Sequence, residues 1–142
     1  MANLHKEYLN IGIVPFGSMG RGIAAVAGRR GHKLSAYQRP NEIDSLKGSR
    51  SIGNVQITSS MREAVEEVDL LFIVSPSTAY EGLAGEALSY ARSDCVAVSC
   101  TKALRGDGRR MTQILEDLDP TIRYRMAAMS GSNLSSDMEK GN

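Results

Sequence analysis

With 142 residues, 42% of them hydrophobic and 23% charged, the sequence has the size and balance of one globular domain. Its formal net charge of +1 gives no bulk attraction towards nucleic acid or a membrane surface. No apolar run is long enough to span a bilayer, and the polar start MANLHKEY is unlike a signal peptide, so a cytoplasmic location is expected.

The elements alternate along the chain. Tyr8 to Val14 is apolar and β-branched, as a buried strand requires. From Ser18 to Arg30, Met19, Ile23, Val26 and Ala27 recur at helical spacing, and Gly31 is the predicted stop. Leu34 to Tyr37 is a second strand, closed by Arg39-Pro40. Asn41 is expected to cap a short helix running to Lys47. The Ser- and Gly-rich stretch from Gly48 to Asn54 reads as a loop. Val55 to Thr58 is a third strand, and Ser60 with Glu63 forms a predicted capping box before a helix from Met61 to Val68. Leu70 to Val74 is almost wholly apolar, the mark of a central parallel strand covered on both faces. A helix from Thr78 to Arg92, a strand from Cys95 to Cys100, a helix from Arg109 to Leu118 and a strand from Tyr124 to Met129 complete the pattern.

This alternation predicts an α/β fold, a Rossmann-type doubly wound parallel sheet with strand order 3-2-1-4-5-6. Ligands of such sheets bind beyond the carboxyl ends of the strands, where the strand order reverses. Five segments are expected to converge there: Pro15 to Gly20, Arg39, Ser75-Pro76-Ser77, Thr101-Lys102 and Gly131-Ser132-Asn133. The first, IVPFGSMGRGIA, keeps the last two glycines of Gly-x-Gly-x-x-Gly, with Pro15 in place of the first. Gly17 permits close approach of a pyrophosphate, Gly20 permits tight packing of helix on sheet, and the helix N-terminus faces the negative charge. Phe16, Gly17, Ser18, Met19 and Gly20 are therefore the candidate cofactor-binding turn. Pro15 removes one N–H donor, and Phe16 is expected to add bulk beside the phosphate path. Glycines that serve packing alone are the alternative reading of this turn.

The stretches GSMGRGIA, GHKLSAYQRP, DLLFIVSPS, SCTKAL with GRRMTQILEDL, and MSGSN together resemble the N-terminal cofactor domain of NAD(P)-dependent glycerol-3-phosphate dehydrogenases. They follow the family's order and cover almost the whole chain. The resemblance implies NAD or NADP as cofactor, dihydroxyacetone phosphate and glycerol 3-phosphate as substrates, and a role in glycerophospholipid metabolism. It implies that Gly17 and Gly20 hold the pyrophosphate, that Arg39 lies near the adenosine ribose, and that Ser75 and Pro76 lie beside the nicotinamide half. Lys102 resembles the family's substrate-site lysine, and Asn133 the side chain that keeps lysine and substrate in register. No acidic residue closes the second strand, and an arginine there accommodates the extra phosphate of NADP. Pro15, Ala103 and Ser132 depart from the family pattern. In the family an all-helical domain follows, carrying a second catalytic lysine and the substrate phosphate site. The sequence as given stops at Asn142, so the resemblance implies a truncated domain that is not catalytically complete alone.

Two rival readings are a β-hydroxyacid dehydrogenase-like cofactor domain and a non-enzymatic module that binds nucleotide or self-associates. An open sheet edge would favour a homo-oligomer. Neither nucleic acid nor a membrane is an expected partner. Elsewhere, bland readings prevail. A strand would hold Cys95 and Cys100 too far apart for a disulfide, so both are expected to be buried free thiols. His5 and His32 are isolated and fit no metal-ligand spacing; His32 reads as a helix-end residue. Glu63, Glu66, Glu67 and Asp69 read as a solvated acidic face, Arg105-Gly106-Asp107 as a chance tripeptide, and Arg109-Arg110 as plain surface.

Overall fold

The computed structural model describes residues 4–46, 54–131 and 135–141. Six strands form one parallel sheet: β1 (Asn10–Val14), β2 (Lys33–Tyr37), β3 (Val55–Thr58), β4 (Leu70–Ile73), β5 (Val96–Ser99) and β6 (Met126–Ala128). Their order is β3-β2-β1-β4-β5-β6, as the alternation of elements predicts. The helices are α1 (Ser18–Arg29), α2 (Pro40–Leu46), α3 (Met61–Val65), α4 (Ser77–Tyr90), α5 (Met111–Leu118) and α6 (Ser135–Lys140).

Apolar residues pack on both faces of the sheet. On one, Val14, Leu71 and Ile73 are buried with Val65 of α3, Tyr80 and Ala84 of α4, and Ile114 and Leu115 of α5. On the other, Ile11, Ile13, Leu34 and Ala36 pack with Ile23, Ala24 and Ala27 of α1. Each large aliphatic side chain so buried contributes about 1.5–3 kcal/mol. β1 and β4 carry apolar residues towards both faces, which is why the parallel pair forms the centre of the sheet. Among the described residues, no helix is long and apolar enough to cross a membrane.

Several element ends differ from the sequence reading, each for a local reason. α2 starts at Pro40, not under an Asn41 cap: the Arg39 carbonyl accepts the N–H groups of Glu42 and Ile43, and proline suits the first helical position. Ser60 Oγ does accept the Glu63 N–H, at 3.3 Å. The return half of the box is replaced, because the Glu63 carboxylate binds Thr58 Oγ1 and Thr58 Oγ1 accepts the Ser60 N–H. β6 starts at Met126, not Tyr124, because Asp119 accepts the Thr121 N–H and opens a 3-10 turn over Pro120–Tyr124. α6 is an element the alternation of the sequence does not predict. It lies against α1 where Gly22 leaves room: a Cβ there would stand 3.2 Å from Met138 Cβ and Ser135 Cα. Arg29 Nη1 and Nη2 donate to the Glu139 and Met138 carbonyls and hold the end of α6. The expected 48–54 loop lies, but for Asn54, outside the described residues.

Gly31 ends α1 with φ +82°, a conformation that favours glycine. His32 follows, and its Nδ1 accepts the Leu9 N–H at 3.2 Å. Cys95 and Cys100 are free and buried, and burial pushes their thiols up to about 11 and about 12.

Asp69 corrects the sequence reading most. It is 1% exposed and not part of a solvated face. One carboxylate oxygen binds Lys6 Nζ at 2.8 Å and Arg92 Nη1 at 3.3 Å, and the other accepts the Asn10 N–H at 2.9 Å. Burial works to raise its pKa, but the Lys6 and Asn10 hydrogen bonds and the charges of Lys6 and Arg92 outweigh it, and the net shift is downward. Asp69 thereby ties the N-terminal segment to the amino ends of β1 and β4, the side of the sheet opposite the predicted site. Arg109 also is more than plain surface, since it pairs with Asp117. Arg105 pairs with Asp107 and with Glu81 of α4, so the chance tripeptide closes the loop that follows Lys102.

Candidate functional site

β1 and β4 are neighbours whose outer partners lie on opposite sides, so the strand order reverses between them. The turn after β1 and the loop after β4 therefore flank the crevice in which doubly wound sheets bind ligands. The turn is held from beneath. Phe16 N–H donates to the Tyr37 carbonyl at 2.8 Å, Gly17 N–H to the Pro15 carbonyl at 3.2 Å, and Gln38 Nε2 to the Phe16 carbonyl at 3.0 Å. With its own amides so engaged, the turn delivers the start of α1 in a fixed position.

Gly17 is the N-cap of α1 and provides no side-chain cap. The N–H groups of Ser18, Met19 and Gly20 make no hydrogen bond among the described residues, as the first turn of a helix leaves them. They stand at the positive end of a helix whose first turn has no acidic residue. The two glycines have different reasons. A Cβ on Gly17 would meet nothing within 4 Å, so the space above it is open to a ligand. A Cβ on Gly20 would lie 2.9 Å from Ile13 Cγ2 and 3.2 Å from the Pro15 carbonyl oxygen, so only glycine lets α1 sit this close to β1. An open backbone cradle with free amides, and no carboxylate in that turn, fits a pyrophosphate.

Phe16 differs from expectation. Its side chain is 4% exposed and packs among Ile13, Ile23 and Ala36 below the turn, so it adds no bulk to the phosphate path. Gln38, not singled out from the sequence, is the other holder of the turn. Its signal was present: Leu34 and Ala36 point inward from β2, and two residues on the same alternation puts Gln38 inward as well.

Arg39 follows Gln38, is exposed, and makes no ion pair among the described residues. Across the crevice, Ser75 is buried and Pro76 is the N-cap residue of α4, which also has no acidic residue in its first turn. Thr101 Oγ1 donates to the Ser75 carbonyl at 2.5 Å and joins the loop after β4 to the loop after β5. Lys102, next in the chain, is exposed and makes no salt bridge among the described residues. Pro15–Gly20, Arg39, Ser75-Pro76 and Thr101-Lys102 thus all lie at the carboxyl ends of parallel strands. Asn133 lies outside the described residues.

A family described as NAD-dependent glycerol-3-phosphate dehydrogenase N-terminus matches residues 10–142. The chain belongs to that family. It is 28% identical over 145 residues to the NAD(P)+ glycerol-3-phosphate dehydrogenase of Alcanivorax borkumensis, covering 94% of this chain and 42% of that protein. The enzyme of the same name from Rickettsia bellii is 26% identical over 148 residues, with 96% of this chain and 46% of the relative covered. The chain thus spans less than half the length of these relatives. Among solved structures, glycerol-3-phosphate dehydrogenase from Coxiella burnetii superimposes with a TM-score of 0.81 at 17% identity, covering 95% of this chain and 44% of that one. Prephenate dehydrogenase from A. aeolicus, a different reaction, also shares the fold, with a TM-score of 0.63 at 20% identity, covering 84% of this chain and 40% of that one. Fold alone does not separate such enzymes; the family match does. It favours the glycerol-3-phosphate dehydrogenase reading over the β-hydroxyacid dehydrogenase one.

Proposed function

We propose that this chain binds NAD(P)H across the β1/β4 crevice as the cofactor portion of a glycerol-3-phosphate dehydrogenase, which interconverts dihydroxyacetone phosphate and glycerol 3-phosphate. The observation that carries the reading is the start of α1: free Ser18, Met19 and Gly20 amides beside the open backbone at Gly17. These amides receive the pyrophosphate, with the helix dipole behind them. Gln38 and the Tyr37 carbonyl keep the turn in place without reorganisation when the anion arrives. Arg39, exposed at the end of β2 and without an ion pair among the described residues, meets the adenosine ribose and favours a 2′-phosphate through a charge-assisted contact. Ser75 and Pro76 form the opposite wall, against the nicotinamide half.

When bound, NAD(P)H supplies the hydride. Lys102 supplies positive charge at the substrate's side of the crevice, where an ammonium group holds a phosphate or polarises a ketone oxygen. The Thr101–Ser75 hydrogen bond fixes the distance between the Lys102 loop and the cofactor wall. Asn133 supports Lys102 in this reading, as the family resemblance implies.

Titration calorimetry with NADH and with NADPH tests the proposal. Saturable binding at up to millimolar cofactor, tighter for NADPH, is expected. No saturable heat with either would overturn the assignment.

A further inference from the structure

Lys102 stands on a short arch of chain with a tie at each end. At the near end, Thr101 Oγ1 donates to the Ser75 carbonyl at 2.5 Å and fixes the arch to the loop after β4. At the far end stands Arg105, whose guanidinium divides its donors between two elements. Nη1 donates to Glu81 Oε2 of α4 at 2.9 Å, while Nε and Nη2 both bind the Asp107 carboxylate. The Arg105 backbone is engaged as well: its N–H donates to the Arg109 carbonyl at 2.9 Å, and its carbonyl accepts the Gly108 N–H at 2.8 Å. Gly108, with φ +85°, permits this tight return. Arg109 then pairs with Asp117 of α5 and donates to the Gln113 carbonyl at 3.3 Å. Between the two ties lie Lys102, Ala103 and Leu104, all exposed.

An exposed ion pair adds little to the stability of a whole fold. In a loop it sets how much chain is free to move. With Arg105 held to Glu81, only Lys102 to Leu104 lie between fixed points. Without that pair, the next side-chain tie to a helix is Arg109 on α5, and residues 102–108 all lie between. A guanidinium suits the post because its planar fork serves two carboxylates at once, where an ammonium is a single point charge. Both ties end on the β4–α4 unit, since Ser75 stands two residues before α4 and Glu81 lies early in that helix. We propose that Arg105 is a positioning residue for Lys102, clamping its loop through Glu81 to the helix that starts beside Pro76. The arch is thereby registered to the wall that faces the start of α1 across the crevice. The use of Lys102 beside a bound cofactor rests on the functional reading above; the clamp itself does not.

The test uses the whole chain, first without cofactor. Glu81→Gln keeps the size of the side chain and removes its charge, and Glu81 is exposed and belongs to neither core cluster, so the variant should fold. Amide relaxation of the wild type should give Lys102, Ala103 and Leu104 order parameters near the rigid value of about 0.85, falling below about 0.6 in Glu81→Gln. Arg105→Ala, which also frees the turn to Asp107, should loosen the same amides at least as much. Salt at about 1 M, where charges are screened within about 3 Å, should lower the wild-type values towards those of Glu81→Gln and leave that variant unchanged. NADPH supplies the positioning readout. At saturation the shift of the Lys102 amide should fall at least twofold in Glu81→Gln, while the Ser18, Met19 and Gly20 shifts and the affinity keep their wild-type values; damage to the fold as a whole would move them all. Order parameters that stay high in both variants would overturn the clamp. A loosened arch with a full Lys102 shift would overturn the positioning role. A wild-type chain that does not bind NADPH would overturn the functional reading instead, and the relaxation measurements without cofactor would still decide the clamp.

Discussion

The two glycines at the start of α1 should respond to alanine in opposite ways. In Gly20→Ala the new methyl carbon would stand 2.9 Å from Ile13 Cγ2 and 3.2 Å from the Pro15 carbonyl oxygen. Ile13 is fully buried in the central strand and has no room to withdraw. Overpacking of this kind costs about 1–3 kcal/mol, and the better helix propensity of alanine returns at most about 1 kcal/mol. A net loss of about 1–2 kcal/mol is expected, read as a lower urea midpoint at unchanged slope. In Gly17→Ala the methyl would meet nothing within 4 Å, and the backbone at φ −100°, ψ −162° is open to any residue. Its stability should fall by less than about 1 kcal/mol, the difference between glycine and alanine at an N-cap, with no steric loss added. NADPH affinity should nevertheless fall tenfold or more, about 1.4 kcal/mol, because the methyl projects into the space assigned to the pyrophosphate. Urea unfolding and titration calorimetry on the same two preparations give both numbers. Equal stability losses, or full NADPH affinity in Gly17→Ala, would refute the division between a packing glycine and a binding glycine.

Arg39→Ala should weaken NADPH binding more than NADH binding; equal losses by calorimetry would place Arg39 away from the ribose. Asp69→Asn leaves Lys6 and Arg92 without their shared anion, and because both are partly exposed the expected loss is about 1–3 kcal/mol, below that of a fully buried pair. The pKa of Asp69 is lowered by folding, so its contribution is complete above the unfolded value of about 3.9 and is lost as pH falls through the folded one. Urea midpoints of the wild type should therefore fall more steeply below about pH 4 than those of Asp69→Asn, and parallel curves would contradict this. Cys95 and Cys100, buried and held protonated at neutral pH, should resist a thiol-disulfide exchange reagent until the chain is unfolded; rapid labelling of native protein would contradict their placement.

The sheet, and the gathering of the candidate segments at the carboxyl ends of its strands, were legible because their signals are local. Alternating runs of apolar residues, Gly17 and Gly20 between a strand and a helix, and the Leu70–Val74 run point to the strand order and the crevice without any long-range contact. What escaped the sequence depends on residues far apart. Asp69 stands in an acidic run, and the partners of its buried carboxylate are Lys6, 63 positions away, and Arg92, 23 positions away. Phe16 lies in the glycine turn, where its bulk suggested an obstacle; only the packing of Ile23 and Ala36 around it shows that the ring points down. α6 has six residues and no buried side chain of its own, so it carries no apolar stripe to detect. Its place is set by Gly22 and Arg29 on α1.

The central claim is that the start of α1 and the loop after β4 hold a dinucleotide between them. Amide chemical-shift mapping of the isotope-labelled chain during titration with NADPH tests it most directly. The account predicts saturable shifts of the Ser18, Met19 and Gly20 amides, accompanied by Arg39 and Ser75, with one common affinity. Saturable shifts confined to other parts of the sheet, or no shifts at millimolar NADPH, would contradict it.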